Sequence, residues 1–282
     1  MKIGISANYI LNGNVEAGAE AMRQYGYKYC DYRHFMRQEN VVYTMTDEEL
    51  ERKLVSDRDI LLSKGIKVNQ VHGLWQWEPN DFLAEDREMK FVKMVKGIKG
   101  SATLGAEYFV LHPFMPFGGG AQQDPAVVYE VNREMFTRLA DVGREYGVVI
   151  CLENMPFPNF PLSSVKAVKD FVKEISHPNL KVCLDTGHAL ICAEEPADAA
   201  RYVGKDLLAT LHVHDNFGVK DEHLLPGKGA IKWQAFADAL AEVGFDGVFS
   251  FETGIWGHLE PDERLKQERA LYQFGEDLVG HI

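Results

Sequence analysis

The stretch VVICLENMPFPNFPLSSVKAVKDFVKEISHPNLKVCLD, residues 148–185, decides the fold. Two short β-rich runs, VVICLE and KVCLD, flank a longer helical segment, and each ends in a carboxylate, Glu153 or Asp185. Apolar runs of this length between helices imply parallel strands buried on both faces. Ser163 or Ser164 is placed to cap the intervening helix. The pattern repeats outward in both directions: KIGISA (2–7), YKYCDY (27–32), KVNQVH (67–72), YFVLH (108–112), LATLHVH (208–214) and GVFSFE (247–252). Eight runs in 282 residues leave about 35 residues per unit, enough for a strand, a helix and their loops.

The segments between the runs carry helix signals. Thr46 and Glu49 are spaced as a capping box before Leu50, Leu54 and Leu61, and Lys64-Gly65 ends that helix. Segments 86–104 and 128–146 are each followed by a glycine, Gly105 and Gly147, and Pro261 opens the last helix. Eight βα units admit a closed barrel or a doubly wound sheet. The first run leads into SANYILNGN rather than a GxGxxG turn, which removes the main support for a dinucleotide fold. Gly118–Gly120 lack the lysine and Ser/Thr of a phosphate-binding loop and read as a loop or lid. With no proline- or serine-rich linker, the expectation is one (β/α)8 TIM barrel over residues 1–282.

Thirty basic against 42 acidic residues give a formal charge of −12, which disfavours nucleic acid and anionic lipid as partners. Cys30, Cys151, Cys183 and Cys192 are scattered, without a CxxC pair or disulfide framework. No signal peptide or membrane span is read, so a cytoplasmic location is expected. Homo-oligomerisation stays open.

Six runs end in residues able to bind a metal: His72, His112, Glu153, Asp185, His212 and Glu252. In a barrel these ends meet on one rim. Any one histidine is readily explained by a backbone partner, but six ligand types in phase are not. Carboxylates and imidazoles crowded into a cavity are costly unless a cation balances them, the alternative being an acid/base cluster without metal. His188, three residues after Asp185, can point into the same rim; His214 shares a strand with His212, with a loop-stabilising role as well supported as a catalytic one. Asp221 and His223 form a further ligand-like pair on the following loop. Nitrogen and oxygen ligands without thiolate favour Mn or Zn, with Mg, Co or Fe also suited. Two glutamates, an aspartate and a histidine suffice for one ion. His72, His112, His188, Asp221 and His223 are a surplus for more than one ion, or for substrate. Trp75, Trp77, Phe114, Phe117, Phe157, Phe160 and Trp256 lie just beyond the ligand-bearing ends, as pocket walls or as loop packing.

The motifs VLHPF, CLENMP, VCLDTGHA, LHVHDN, DEHLLPGKGAIKW and SFE resemble those of the xylose isomerase-like TIM barrel superfamily, along nearly the whole chain. Its sugar isomerase and epimerase branch implies a metal held by Glu153, Asp185, His212 and Glu252. In that branch the two glutamates exchange protons with a small polyhydroxylated carbonyl substrate, and His188 touches its oxygens. The implied chemistry is isomerisation or epimerisation of a keto-sugar or sugar phosphate through a metal-stabilised enediolate. The same site could serve a dehydratase or lyase on an oxidised sugar, cyclitol or glycoside. The ligand pattern is also similar to endonuclease IV, which would use His72, His112, His188, Asp221 and His223 for further metals. Against that stand FGVKDEH in place of an arginine-containing segment, NMPFPNFP after the LEN motif, and the acidic charge. A non-catalytic sugar-binding barrel is a further alternative.

Overall fold

The computed structural model describes residues 1–6, 14–75, 81–120, 122–254 and 259–282. Eight parallel strands run in the spatial order 7-6-5-4-3-2-1-8: β1 (Lys2–Ser6), β2 (Tyr29–Tyr32), β3 (Lys67–His72), β4 (Tyr108–Leu111), β5 (Val149–Glu153), β6 (Leu180–Asp185), β7 (Leu208–His212) and β8 (Val248–Phe251). β1 pairs with β8, Lys2 opposite Val248 and Ile5 opposite Phe251. β7 and β8 meet through Val213, which donates to Ser250 O at 2.9 Å and accepts from Glu252 N at 2.9 Å. The result is a nearly closed (β/α)8 barrel.

The helices are α1 (Val15–Tyr25), α2 (Asp47–Ser63), α3 (Ala84–Leu104), α4 (Pro125–Tyr146), α5 (Val165–Ile175), α6 (Thr186–Ile191), α7 (Pro196–Val203), α8 (Trp233–Glu242) and α9 (Pro261–Val279). Thr46 and Glu49 form the expected capping box on α2. Gly105 and Gly147 take the left-handed conformation, φ 72° and 68°, that ends α3 and α4. The cap of α5 is Ser164, accepting from Ala167 N at 3.1 Å. Ser163 instead ties the preceding loop, donating to Met155 O and accepting from Phe157 N.

Strand parity decides which side chains enter the barrel. Ile150 and Leu152 of β5 belong to the large core against the helices. Cys151 packs with Val110 and Cys183 in a separate small cluster. Two residues further along, on the same face, stand His112, Glu153 and Asp185. The small apolar layer therefore forms the floor beneath the polar rim. Burial raises the Cys151 and Cys183 thiols, Cys183 to about 12, as suits inert packing groups.

Candidate metal centre

All six strand-end residues gather at one rim, buried. Glu153, Asp185, His212 and Glu252 offer ligand atoms within 4.8 Å of one another, as do His72, Glu153 and His212. His112 Nε2 lies 3.0 Å from Glu153 Oε2. His188, Asp221 and His223 form a second such group, joined by His214. The sequence left His214 undecided; its Nε2 donates to Asp185, 3.1 Å from Oδ2, and its ring stacks 3.9 Å from that of His223. His112 and Glu252 stand one residue past their strands, where the chain leaves the ladder.

Partners of the other ring nitrogen orient these imidazoles. His72 Nδ1 donates to Gly73 O at 2.9 Å, His188 Nδ1 to Asn154 O at 2.8 Å and His223 Nδ1 to Glu252 O at 2.7 Å. Each then turns Nε2 toward the carboxylates. His212 is reversed: Nε2 donates to Asp31 at 3.0 Å, and Nδ1 stands 2.8 Å from Glu153 Oε1 and 3.0 Å from Glu252 Oε2.

Burial opposes charge at His212 and His188, yet both imidazoles are held well above their usual range. Glu153 and Glu252 act on the first, Asp185 and Asp221 on the second. Burial likewise opposes ionisation of Glu153 and Glu252. His212 and His112 keep the first well below the carboxylate range, and Arg33 with His212 does so for the second. The site is built to hold anionic carboxylates beside a cation. His72 Nε2, His112 Nδ1 and His214 Nδ1 are buried without hydrogen-bond partners, and Glu153 Oε2 and Glu252 Oε2 face only imidazole nitrogens at 3.0 Å. Such orphaned lone pairs fit a divalent ion bound by nitrogen and oxygen.

Four residues that hold this arrangement escaped the sequence reading. Asp31, next to last in β2, lies beneath His212. Arg33 pairs with Glu252 across the rim. Asn154 and Asp185 exchange hydrogen bonds, Asn154 Nδ2 to Asp185 O at 3.0 Å and Asp185 N to Asn154 Oδ1 at 2.8 Å. Asp215 accepts from Gly227 N, Ile231 N and the Trp233 indole, closing the loop that carries Asp221 and His223. Asp215 and Asn154 sat inside the quoted LHVHDN and CLENMP motifs, whereas Asp31 and Arg33 carried no spacing signal.

Above the ligands opens a cavity of about 640 Å³, bordered by Arg33, His34, Arg37, Trp75, Phe157 and Glu252 among others. This is the size of a small-ligand site. Trp75 and Phe157 line it, and the Trp75 ring stands edge-on to His112 at 4.4 Å. Phe114 does not: it is fully buried against Phe136, because its backbone is clamped by Asn132 on α4. Phe160 is also core, whereas Phe117 borders a separate surface hollow. Trp77 and Trp256 lie outside the described residues. Among the described residues no helix is long and apolar enough to cross a membrane.

Fold and site together define a barrel with a candidate metal-ligand rim, and the xylose isomerase-like TIM barrel family matches residues 19–273; the chain belongs to that family. Similar proteins include the D-psicose 3-epimerase of Enterocloster bolteae, 27% identical over 78% of this chain and 75% of its own length. The inosose isomerase of Bacillus subtilis is 26% identical over 53% of this chain and 55% of its own. Among solved structures, a D-psicose 3-epimerase in the presence of D-fructose superposes with a TM-score of 0.80 at 20% identity, covering 99% and 100% of the two chains. The IOLI protein with a zinc atom gives 0.78 at 20% identity, covering 100% and 99%.

Proposed function

We propose that this protein is a divalent-metal-dependent isomerase or epimerase of a small polyhydroxylated carbonyl compound, a keto-sugar or sugar phosphate. The observation that carries the reading is the approach of two buried glutamates, Glu153 and Glu252, to the same nitrogen of His212 below a sugar-sized cavity. Relatives named D-psicose 3-epimerase and inosose isomerase support it.

Glu153, Asp185, His212 and Glu252 would hold the ion, with manganese or zinc the best match to their chemistry. When bound, it supplies Lewis-acid polarisation of a carbonyl, which acidifies the neighbouring C–H. Glu252 borders the cavity and takes or returns a proton on one face of the substrate. Glu153, under His112 and His188, serves the other face of a substrate seated in the cavity. Return of the proton to the same carbon from the opposite face gives an epimer, and return to the adjacent carbon gives an isomer. His188 steadies the substrate oxygens through Nε2. Arg33 holds the Glu252 carboxylate toward the cavity.

The test is turnover of D-fructose, D-psicose, D-tagatose and inosose by metal-loaded protein, with metal content measured in parallel. Turnover with solvent deuterium entering beside the carbonyl supports the reading. A fully loaded protein that turns over none of them refutes it for these substrates. One observation favours a second reading, a metal-dependent phosphodiesterase: the grouping of His188, His214, Asp221 and His223 as further ligands. Cleavage of abasic DNA, with no ketose turnover, would favour that alternative.

A further inference from the structure

Away from the metal ligands, the β2 side of the cavity carries a polar chain that the proposed chemistry does not use. Tyr32 Oη lies 2.6 Å from Asp57 Oδ2 and 2.8 Å from His34 Nδ1. Lys53, one turn before Asp57 on α2, forms an ion pair with that carboxylate. Tyr32 is fully buried, Asp57 nearly so, and His34 borders the cavity.

The direction of these bonds follows from proton counting. A carboxylate paired with lysine only accepts, so the Tyr32 hydroxyl donates to Asp57. The contact with His34 is then an Nδ1–H donating to the Tyr32 oxygen. The neutral ring therefore has its proton on Nδ1 and a lone pair on Nε2. Burial, with the nearby Lys53 charge, lowers the proton affinity of His34, which keeps the ring neutral. Nε2 is the ring nitrogen left for a ligand.

We infer that His34 is a substrate-specificity residue, whose Nε2 accepts a hydrogen bond from a hydroxyl of the bound sugar while Tyr32, Asp57 and Lys53 fix its tautomer. The inference rests on the sugar reading of the cavity. A fixed acceptor differs from an arginine or lysine in what it selects. It favours an O–H donor and gives nothing to an ether, a deoxy carbon or a phosphate oxygen. Asp57 and Tyr32 act only through His34 and are positioning residues.

The test uses nitrogen-15 NMR on the zinc-loaded full chain, titrated separately with D-fructose, D-psicose and D-tagatose. The free protein should show a protonated Nδ1 and an unprotonated Nε2 at His34, and Tyr32→Phe should mix the two tautomers. Saturation with a ketose should move the Nε2 signal in the direction of an accepted hydrogen bond. In kinetics, His34→Phe should raise KM about three- to tenfold with kcat within about twofold, as for one hydrogen bond equal in ground and transition states. His34→Gln, which keeps an acceptor, should recover part of that loss. A proton found on Nε2, or an unmoved Nε2 signal in ketose-saturated protein, overturns the proposal and leaves the sugar reading standing. The predicted tautomer with no binding of any of the three ketoses refutes the sugar reading for them, and the proposal falls with it.

Discussion

Asp31 accepts from His212 Nε2 at 3.0 Å, fully buried near the end of β2. This contact turns the Nδ1 edge of the ring toward Glu153 and Glu252. A carboxylate behind a ligating imidazole fixes its orientation and raises its basicity, and such partners typically contribute 10–100-fold to metal affinity. Asp31→Asn should therefore weaken metal binding by about tenfold or more, read by competition with a chelator, while the far-UV spectrum stays native. Unchanged affinity would mean that His212 is oriented by the strand alone.

Asp185 has three tasks at once. It belongs to the candidate ligand group, caps α6 through His188 N at 2.7 Å, and receives His214 Nε2. Asp185→Ala should strip most of the metal from purified protein and lower stability by about 1 kcal/mol or more through the cap alone. Metal content and denaturant melts check the two effects separately. Full occupancy in the variant would remove Asp185 from the ligand set.

Glutamine at position 153 or 252 keeps the volume and removes proton transfer. Each variant, reloaded with metal, should lose deuterium exchange beside the substrate carbonyl by at least about a hundredfold. Loss with metal retained assigns proton transfer; normal turnover in both loaded variants would defeat the acid–base pair.

A methyl group on Gly187 would stand 2.0 Å from His214 Cε1. The ring is held by Asp185 and stacked on His223, so turning away from that overlap breaks these contacts. Gly187→Ala should push His214 off Asp185 and cut activity, with the loss larger than in His214→Asn. Equal activity to the parent protein would show that the α6 turn can retreat.

Burial opposes the charge on His223, but Asp221 and Glu252 raise its proton affinity to about 9. A folded-state value above the unfolded one of about 6.5 stabilises the fold at low pH. The contribution is complete below about pH 6.5 and is lost as pH rises through about 9. In metal-free protein, the stability gap between the parent and His223→Gln should be widest near pH 6 and shrink by up to about 3 kcal/mol by pH 9.5. Urea melts at the two pH values measure it; a gap independent of pH would detach His223 from Asp221.

The barrel and the gathering of its strand-end imidazoles and carboxylates at one rim were legible because their signals are local and periodic. Runs such as VVICLE and KVCLD state both the strand and the carboxylate at its end. Strand parity then places Glu153 and Asp185 on the inner face above Cys151 and Cys183. What stayed hidden depends on which elements meet. Arg33 reaches Glu252 from 219 positions away, and Asp31 meets His212 from 181; no spacing rule links either pair. Phe114 shows the same limit from the other side. Its position after β4 left pocket wall and loop packing both open, and the Asn132 clamp on α4 turns it into the core.

The β7–β8 junction gives the rim a mechanical meaning. Among the described residues these strands are joined by the single Val213 bridge at the ligand end. Glu153, Asp185 and His212 belong to one lip of that slit, and Glu252 to the other. An ion gripped by all four would act as a clasp on a split ring, so that loading the metal tightens the whole hoop. Slowed hydrogen exchange at the Val213 and Glu252 amides, ahead of amides in the other strands, would be the first sign of that fastening.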